Sequence, residues 1–237
     1  MADPLSDPIQ QRLPDGGPRY VETPADPIHY AGWAAEPWNT VSAFLFVLIA
    51  AGWAWKLRGR YRQYPFLTMC IPILLTGGIG GVLYHGLRTQ RVYFLMDLMP
   101  ISILGLAITM WLWLRLGPRV IHLIGVLALV ALLQVVSRQQ LPIQWAINVS
   151  YASLALTITV PIVLCLIRTR FQQAGWVYTA LACFAIAWVC RIGDTVEPPV
   201  LPMGTHWLWH VFGALTTLSL SVYIYFIEQV PLRRKPA

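Results

Sequence analysis

Two histidines, His206 and His210, stand four residues apart in the last apolar segment of the chain. On a helix that spacing puts both imidazoles on one face, about one turn apart, within reach of a single metal ion. Alone, the pair reads equally well as two interfacial histidines between the belt tryptophans Trp207 and Trp209. Two more residues tip the balance. His85 closes the second apolar segment and Asp97 opens the third, so all four groups fall at one end of their segments. Three imidazoles that leave one coordination position open are the donor set of a catalytic zinc site, in which the ion activates water and polarises a carbonyl. A carboxylate within a bilayer costs roughly 2.5–3.5 kcal/mol on insertion scales. Asp97 therefore needs a partner or a wet cavity, and a metal centre supplies both.

The elements that must position these groups follow from composition. Hydrophobic residues make up 57% of the 237 and charged residues only 11%, against about a quarter charged in a soluble domain. Seven apolar runs of near-spanning length follow one another: Pro37–Lys56, Tyr64–Tyr84, Tyr93–Leu116, Pro118–Val136, Gln144–Ile167, Ala174–Ile192 and His206–Ile227. About 20 residues cross a hydrocarbon core as a helix, and spanning backbone must satisfy its own hydrogen bonds. The expected fold is an all-α integral membrane bundle of seven transmembrane helices joined by short loops. Three regions are expected: a polar extracytoplasmic tail over 1–35, the helical domain over 36–229, and a basic cytoplasmic tail over 230–237. The first 35 residues are rich in Pro, Asp and Gly and hold no apolar core of a signal peptide, so none is expected there.

Orientation comes from the basic residues. Lys56, Arg58, Arg60, Arg62, Arg115, Arg119, Arg168, Arg170, Arg233, Arg234 and Lys235 fall on one side; Arg12, Arg19, Arg88, Arg91, Arg138 and Arg191 fall on the other. The positive-inside rule puts the first group, and the C-terminus, in the cytoplasm. The N-terminus and the histidine end then face outward, which in a bacterial inner membrane means the periplasm. The net charge of +7 is thus loop charge, and nucleic acid is a poor partner for it. Four cysteines without a C-x-x-C pair read as small buried apolar residues.

Three stretches carry a family resemblance: Glu36-Pro37-Trp38-Asn39-Thr40-Val41-Ser42, Tyr84-His85 with Asp97 downstream, and Gly204-Thr205-His206-Trp207-Leu208-Trp209-His210. They resemble the alkaline ceramidases, especially the bacterial members, within a seven-helix superfamily of membrane hydrolases that also includes the adiponectin and progestin receptors. The resemblance runs from about Glu22 to the end of the seventh segment; the middle segments match only as apolar runs. It implies a zinc ion on His85, His206 and His210, with Asp97 as general base. It also implies hydrolysis of the amide between a fatty acyl group and a sphingoid amine, so that a ceramide-like membrane lipid is the substrate. Calcium, bound by Glu22, Asp26 and Glu36, is implied as a second ion; the plain alternative is an acidic helix start at Glu36 and a turn at Asp26.

Two departures stand out. The family carries a serine one helical turn before the first histidine, where this chain has Gly81, and the spacing from His85 to Asp97 is one residue longer. Loss of one oxyanion donor typically lowers a rate ~10²–10³-fold. The substitution therefore keeps open a second reading, a receptor-like or lipid-binding protein with a structural zinc. A transporter with a titrating His/Asp cluster would need polar groups continuing to the cytoplasmic side, and the segments hold almost none there. Asn39 and Ser42, one turn apart, suit hydrogen bonding between helices. Arg191 and Asp194, three apart, are placed to pair with each other; the resemblance includes this Arg-x-x-Asp and implies that the two brace the loop that leads to His206.

Overall fold

A computed structural model describes residues 13–117 and 120–230. It contains seven α-helices: α1 (Pro37–Lys56), α2 (Pro65–Leu87), α3 (Arg91–Leu116), α4 (Val120–Gln140), α5 (Ile143–Arg168), α6 (Ala174–Gly193) and α7 (His206–Ile227), with a 3₁₀ turn over Tyr61–Gln63 and no strand among the described residues. Six helices are long and apolar enough to cross a membrane; in α4 the described apolar stretch, Ile124–Gln140, is shorter. The chain is thus a multi-pass helical membrane protein.

Local chemistry sets the helix ends. Pro37 and Pro65 sit in the first turns of α1 and α2, where a missing N–H costs nothing. Gly117 ends α3 in the left-handed region, donating its N–H to the Trp113 carbonyl. The α7 N-terminus is capped from a distance: Asp194 Oδ1 accepts the backbone N–H groups of Thr205 and His206 at 2.7 and 3.1 Å. Two of the orphan donors of a helix start are thereby satisfied beside a negative charge.

Helix α1 packs between α2 and α7; α3 lies against α2 and α5, α6 lies against α7, and α4 is outermost, mainly on α5. Gly80 brings α2 onto α3 so closely that any side chain there would collide with the Met96 backbone. Two apolar clusters, one around Leu112, Cys165 and Tyr223 and one around Trp53, Leu57 and Phe66, close the bundle at the end away from the histidines. All four cysteines are free.

Residues 13–35 have no helix or strand, as a polar tail should, yet they are folded against the histidine end. Ala35 N–H donates to the Gly86 carbonyl and Glu36 N–H to that of His85. Tyr30 Oη donates to the Gly86 carbonyl, and Tyr20 is buried. Gly17 passes against the Tyr84 hydroxyl with no space for a side chain. Residues 1–12 and 231–237 lie outside the described part.

Candidate metal centre

His85, His206 and His210 are brought together and buried, with potential ligand atoms all within 4.8 Å of one another. Each comes from the end of a helix: His85 from the last turn of α2, His206 and His210 from the first two turns of α7. The three could hold a metal ion. Their surroundings decide which nitrogens are free to do so.

His85 Nδ1 lies 2.5 Å from Glu36 Oε2, and both side chains are fully buried. The carboxylate accepts, so Nδ1 carries the proton and Nε2 keeps its lone pair; that Nε2 is buried without any hydrogen-bond partner. His210 Nδ1 lies 3.1 Å from the Asn39 carbonyl and 2.9 Å from Ser42 Oγ. A carbonyl can only accept, which again puts the proton on Nδ1 and leaves Nε2 its lone pair. These protons are assigned from the hydrogen-bond network. A ring N–H donated to a carboxylate or carbonyl is how proteins orient metal-ligating histidines. His206 is held by the Asp194 cap below it and by the Tyr20 ring, stacked on it with centroids 3.9 Å apart. An orphaned buried Nε2 and two fixed tautomers fit a resident metal ion.

Glu36 is the hub of the support. Oε1 accepts from Thr23 Oγ1 at 2.5 Å and meets Arg88 Nη1 at 3.1 Å; Oε2 accepts from Asn39 Nδ2 at 3.1 Å besides holding His85. Burial alone would push this carboxyl up, but the Arg88 guanidinium and the His85 and Thr23 hydrogen bonds outweigh it and hold Glu36 below the usual range. Arg88 is itself 1% exposed. Its Nε meets Asp15 Oδ2 at 2.9 Å and its Nη2 donates to the Pro18 carbonyl at 2.9 Å.

The three residues that the resemblance assigns to calcium do not gather into one ion-binding group among the described residues. Glu36 spends both oxygens as above. Glu22 accepts the backbone N–H groups of Trp38 and Asn39 at 2.6 and 3.0 Å and so caps α1. Asp26 is in an exposed turn, bonded to the His29 ring and backbone. The cation beside Glu36 is Arg88.

Asp97 faces the same cavity as His206 and His210. It stands against Gly81: a Cβ on that glycine would come 2.9 Å from Asp97 Oδ1 and 3.2 Å from Ala43 Cβ. The cavity, about 250 Å³, is polar at the histidine end and apolar beyond. Its lining on α7 runs from His206 to Ile224, roughly 27 Å at 1.5 Å per residue. Exposed Val163 on α5 and Leu181 on α6 also line it, and these two helices touch only sparingly, so the cavity opens sideways between them.

Of Asn39 and Ser42, the Ser42 hydroxyl links helices through His210; Asn39 meets His210 only with its backbone carbonyl, while its side chain bonds Glu36. Arg191 and Asp194 do not pair. Arg191 donates to Asn148 Oδ1 and Gln144 Oε1 on α5, both at 3.0 Å, while Asp194 is occupied by backbone N–H groups of Val21, Thr205 and His206. The expected brace on the loop before His206 exists, but Asp194 makes it alone. Asp15, Tyr20, Thr23 and Arg88 were not singled out from the sequence; only the cost of an arginine at a helix end in membrane context could have pointed to Arg88.

Compared with known protein families and with curated proteins, the chain matches neither a family model nor a curated sequence.

Proposed function

We propose that this protein is a zinc-dependent membrane hydrolase that cleaves an amide in an N-acyl lipid, with a ceramide-like lipid as the substrate the resemblance suggests. The observation that carries the reading is the buried trio His85, His206 and His210, two of whose rings spend Nδ1 on an acceptor and keep a bare Nε2. An ion held there supplies Lewis-acid activation of water and of the acyl carbonyl. Catalytic zinc commonly has three protein ligands and an open position, and imidazole donors suit it.

The chain's own groups supply the rest. Asp97 accepts the proton of the attacking water and then delivers it to the leaving amine nitrogen, the usual cycle of a general base turned acid. The apolar cavity takes the acyl chain, and the gap between α5 and α6 lets a lipid reach the site from within the bilayer. The tail over residues 13–35, with Tyr20 against His206, limits water on the other side. By the positive-inside argument the site faces the outer leaflet.

The test is elemental analysis of the purified protein beside a fatty-acid release assay, with His206→Ala and Asp97→Asn. One zinc per chain, lost in His206→Ala and retained in Asp97→Asn, with release abolished in both, is the expected result. Absence of metal overturns the proposal. Zinc without release from any acyl lipid favours the receptor-like reading, for which Gly81 in place of a serine is the supporting feature.

A further inference from the structure

Arg191 is a buried cation with no carboxylate in direct contact; the carboxylate that feels its charge is Asp97, which lines the same cavity. Arg191 is 4% exposed, and among the described residues no Asp or Glu is within ion-pair distance of it. Its Nε and Nη2 are spent on two neutral amide oxygens, Asn148 Oδ1 and Gln144 Oε1, which fix the guanidinium without offsetting its charge. The group stands near the faces of Tyr151 and Trp209, 5.4 and 5.5 Å from the ring centroids. Nη1 has no hydrogen-bond partner among the described residues, and Arg191 lines the cavity together with His206, His210 and Asp97.

An ionisable side chain at membrane depth marks a functional site by default, and a cation whose direct contacts are all neutral is placed to take an anion. A planar guanidinium stacked near aromatic rings and steadied by amides is preorganised for a carboxylate, sulfonate or phosphate oxygen. A purely structural role, tying α6 to α5, would use the two bonds already made and would not need a positive charge on the cavity wall.

We propose that Arg191 binds an anionic group on the amine half of the substrate, so that the preferred lipid is an N-acyl amine bearing a negative charge, such as an N-acyl amino acid, and not a neutral ceramide. This rests on the hydrolase reading for the amide itself. The acyl chain belongs in the apolar stretch that runs to Ile224, and the carbonyl belongs at the histidines. The part of the molecule left to meet Arg191, on the α5–α6 wall of the polar end, is the portion attached to nitrogen.

The test reads binding, so it stays informative if the protein proves not to hydrolyse amides. The probes are a long-chain 4-oxo fatty acid, which replaces the amide nitrogen of an N-acyl glycine with a methylene, the matching 4-oxo alcohol, and a plain fatty acid. Affinity for the metal-loaded protein in detergent is followed by tryptophan fluorescence. The expected result is at least about tenfold tighter binding of the oxo acid than of the oxo alcohol, as a charge-assisted contact would give. In Arg191→Gln the preference falls to about threefold or less with metal content unchanged, and Arg191→Lys, which keeps the charge, retains more of it than Arg191→Gln. No preference in the wild type overturns the proposal. So does a preference that survives Arg191→Gln, since the metal would then be reading the carboxylate. An Arg191 dependence confined to the plain fatty acid also overturns it, because the arginine would then serve the released acid. Should Arg191→Gln fail to fold, Arg191→Met, which also removes the charge, carries the same comparison, and an acid preference that survives it overturns the proposal.

Discussion

His85 Nδ1 and Glu36 Oε2 lie 2.5 Å apart with neither side chain exposed to solvent, joining the end of α2 to the residue that precedes α1. One bond thereby sets the tautomer of a candidate metal ligand and ties the first two helices together. Removing an outer partner of this kind typically lowers metal affinity 10–100-fold. We expect Glu36→Gln, which keeps the shape and loses the charge, to fall about that far in competition with a zinc chelator. Unchanged affinity would mean that the ion does not use His85 Nε2.

Arg88 stands between Asp15 and Glu36, all three buried. Breaking a buried pair by deleting one partner leaves an uncompensated charge and costs about 3–5 kcal/mol. Arg88→Met should therefore lower the thermal midpoint more than any exposed Arg→Met change, for instance at Arg58. Because this arginine is the cation at Glu36, we expect added calcium or a calcium chelator to leave the midpoint of the wild-type protein unmoved. A calcium-dependent rise would show a carboxylate cluster outside the arrangement described.

Asp194 caps α7 through two backbone N–H groups, one of them that of His206. Loss of a helix N-cap costs about 0.5–2 kcal/mol. Asp194→Ala should destabilise the protein by that amount in detergent unfolding and also weaken metal binding, since the first two turns of α7 carry two of the proposed ligands. Arg191→Gln serves as the contrast: it removes no cap and is expected to leave metal content intact.

Gly81 and Asp97 share a space that cannot hold a larger residue without a shift, the added carbon coming within 2.9 Å of Oδ1. On the hydrolase reading, Gly81→Ala should lower turnover about tenfold or more with zinc content unchanged, because misplacing a proton acceptor by a fraction of an ångström is costly. Comparison with Gly81→Ser isolates the hydroxyl. If serine at 81 is more active than alanine, the hydroxyl contributes an oxyanion or water contact that the natural chain does without; equal loss in both leaves only the steric effect.

Much of this protein is decided locally, and so is legible in its sequence. A run of about twenty apolar residues must close its own hydrogen bonds in lipid, so α1, α5, α6 and α7 fall within a residue or two of where hydropathy alone puts them. The helical repeat puts His206 and His210 on one face whatever surrounds them. Up-and-down threading then carries the ends of α2 and α7 to the same end of the bundle, which is why His85 could be added from position along the chain.

The hydrogen-bond partners were decided by the tertiary structure alone. Glu36 reads in sequence as an acidic residue at a helix start, Glu22 as a tail carboxylate and Arg191 as a partner for Asp194 three residues away. In the folded chain Glu36 holds His85 from 49 positions upstream, Glu22 caps α1 from outside the helix, and Arg191 reaches 43 and 47 positions back to α5. A buried charge takes whichever partner the packing delivers, and neighbours in sequence have no privilege once backbone N–H groups compete for the same oxygens. The tail over residues 13–35 makes the same point. Nothing in its Pro-, Asp- and Gly-rich composition encodes a cover for the site, yet Asp15, Tyr20 and Thr23 acquire that role because the end of α2 presents a buried arginine and α7 presents an imidazole face.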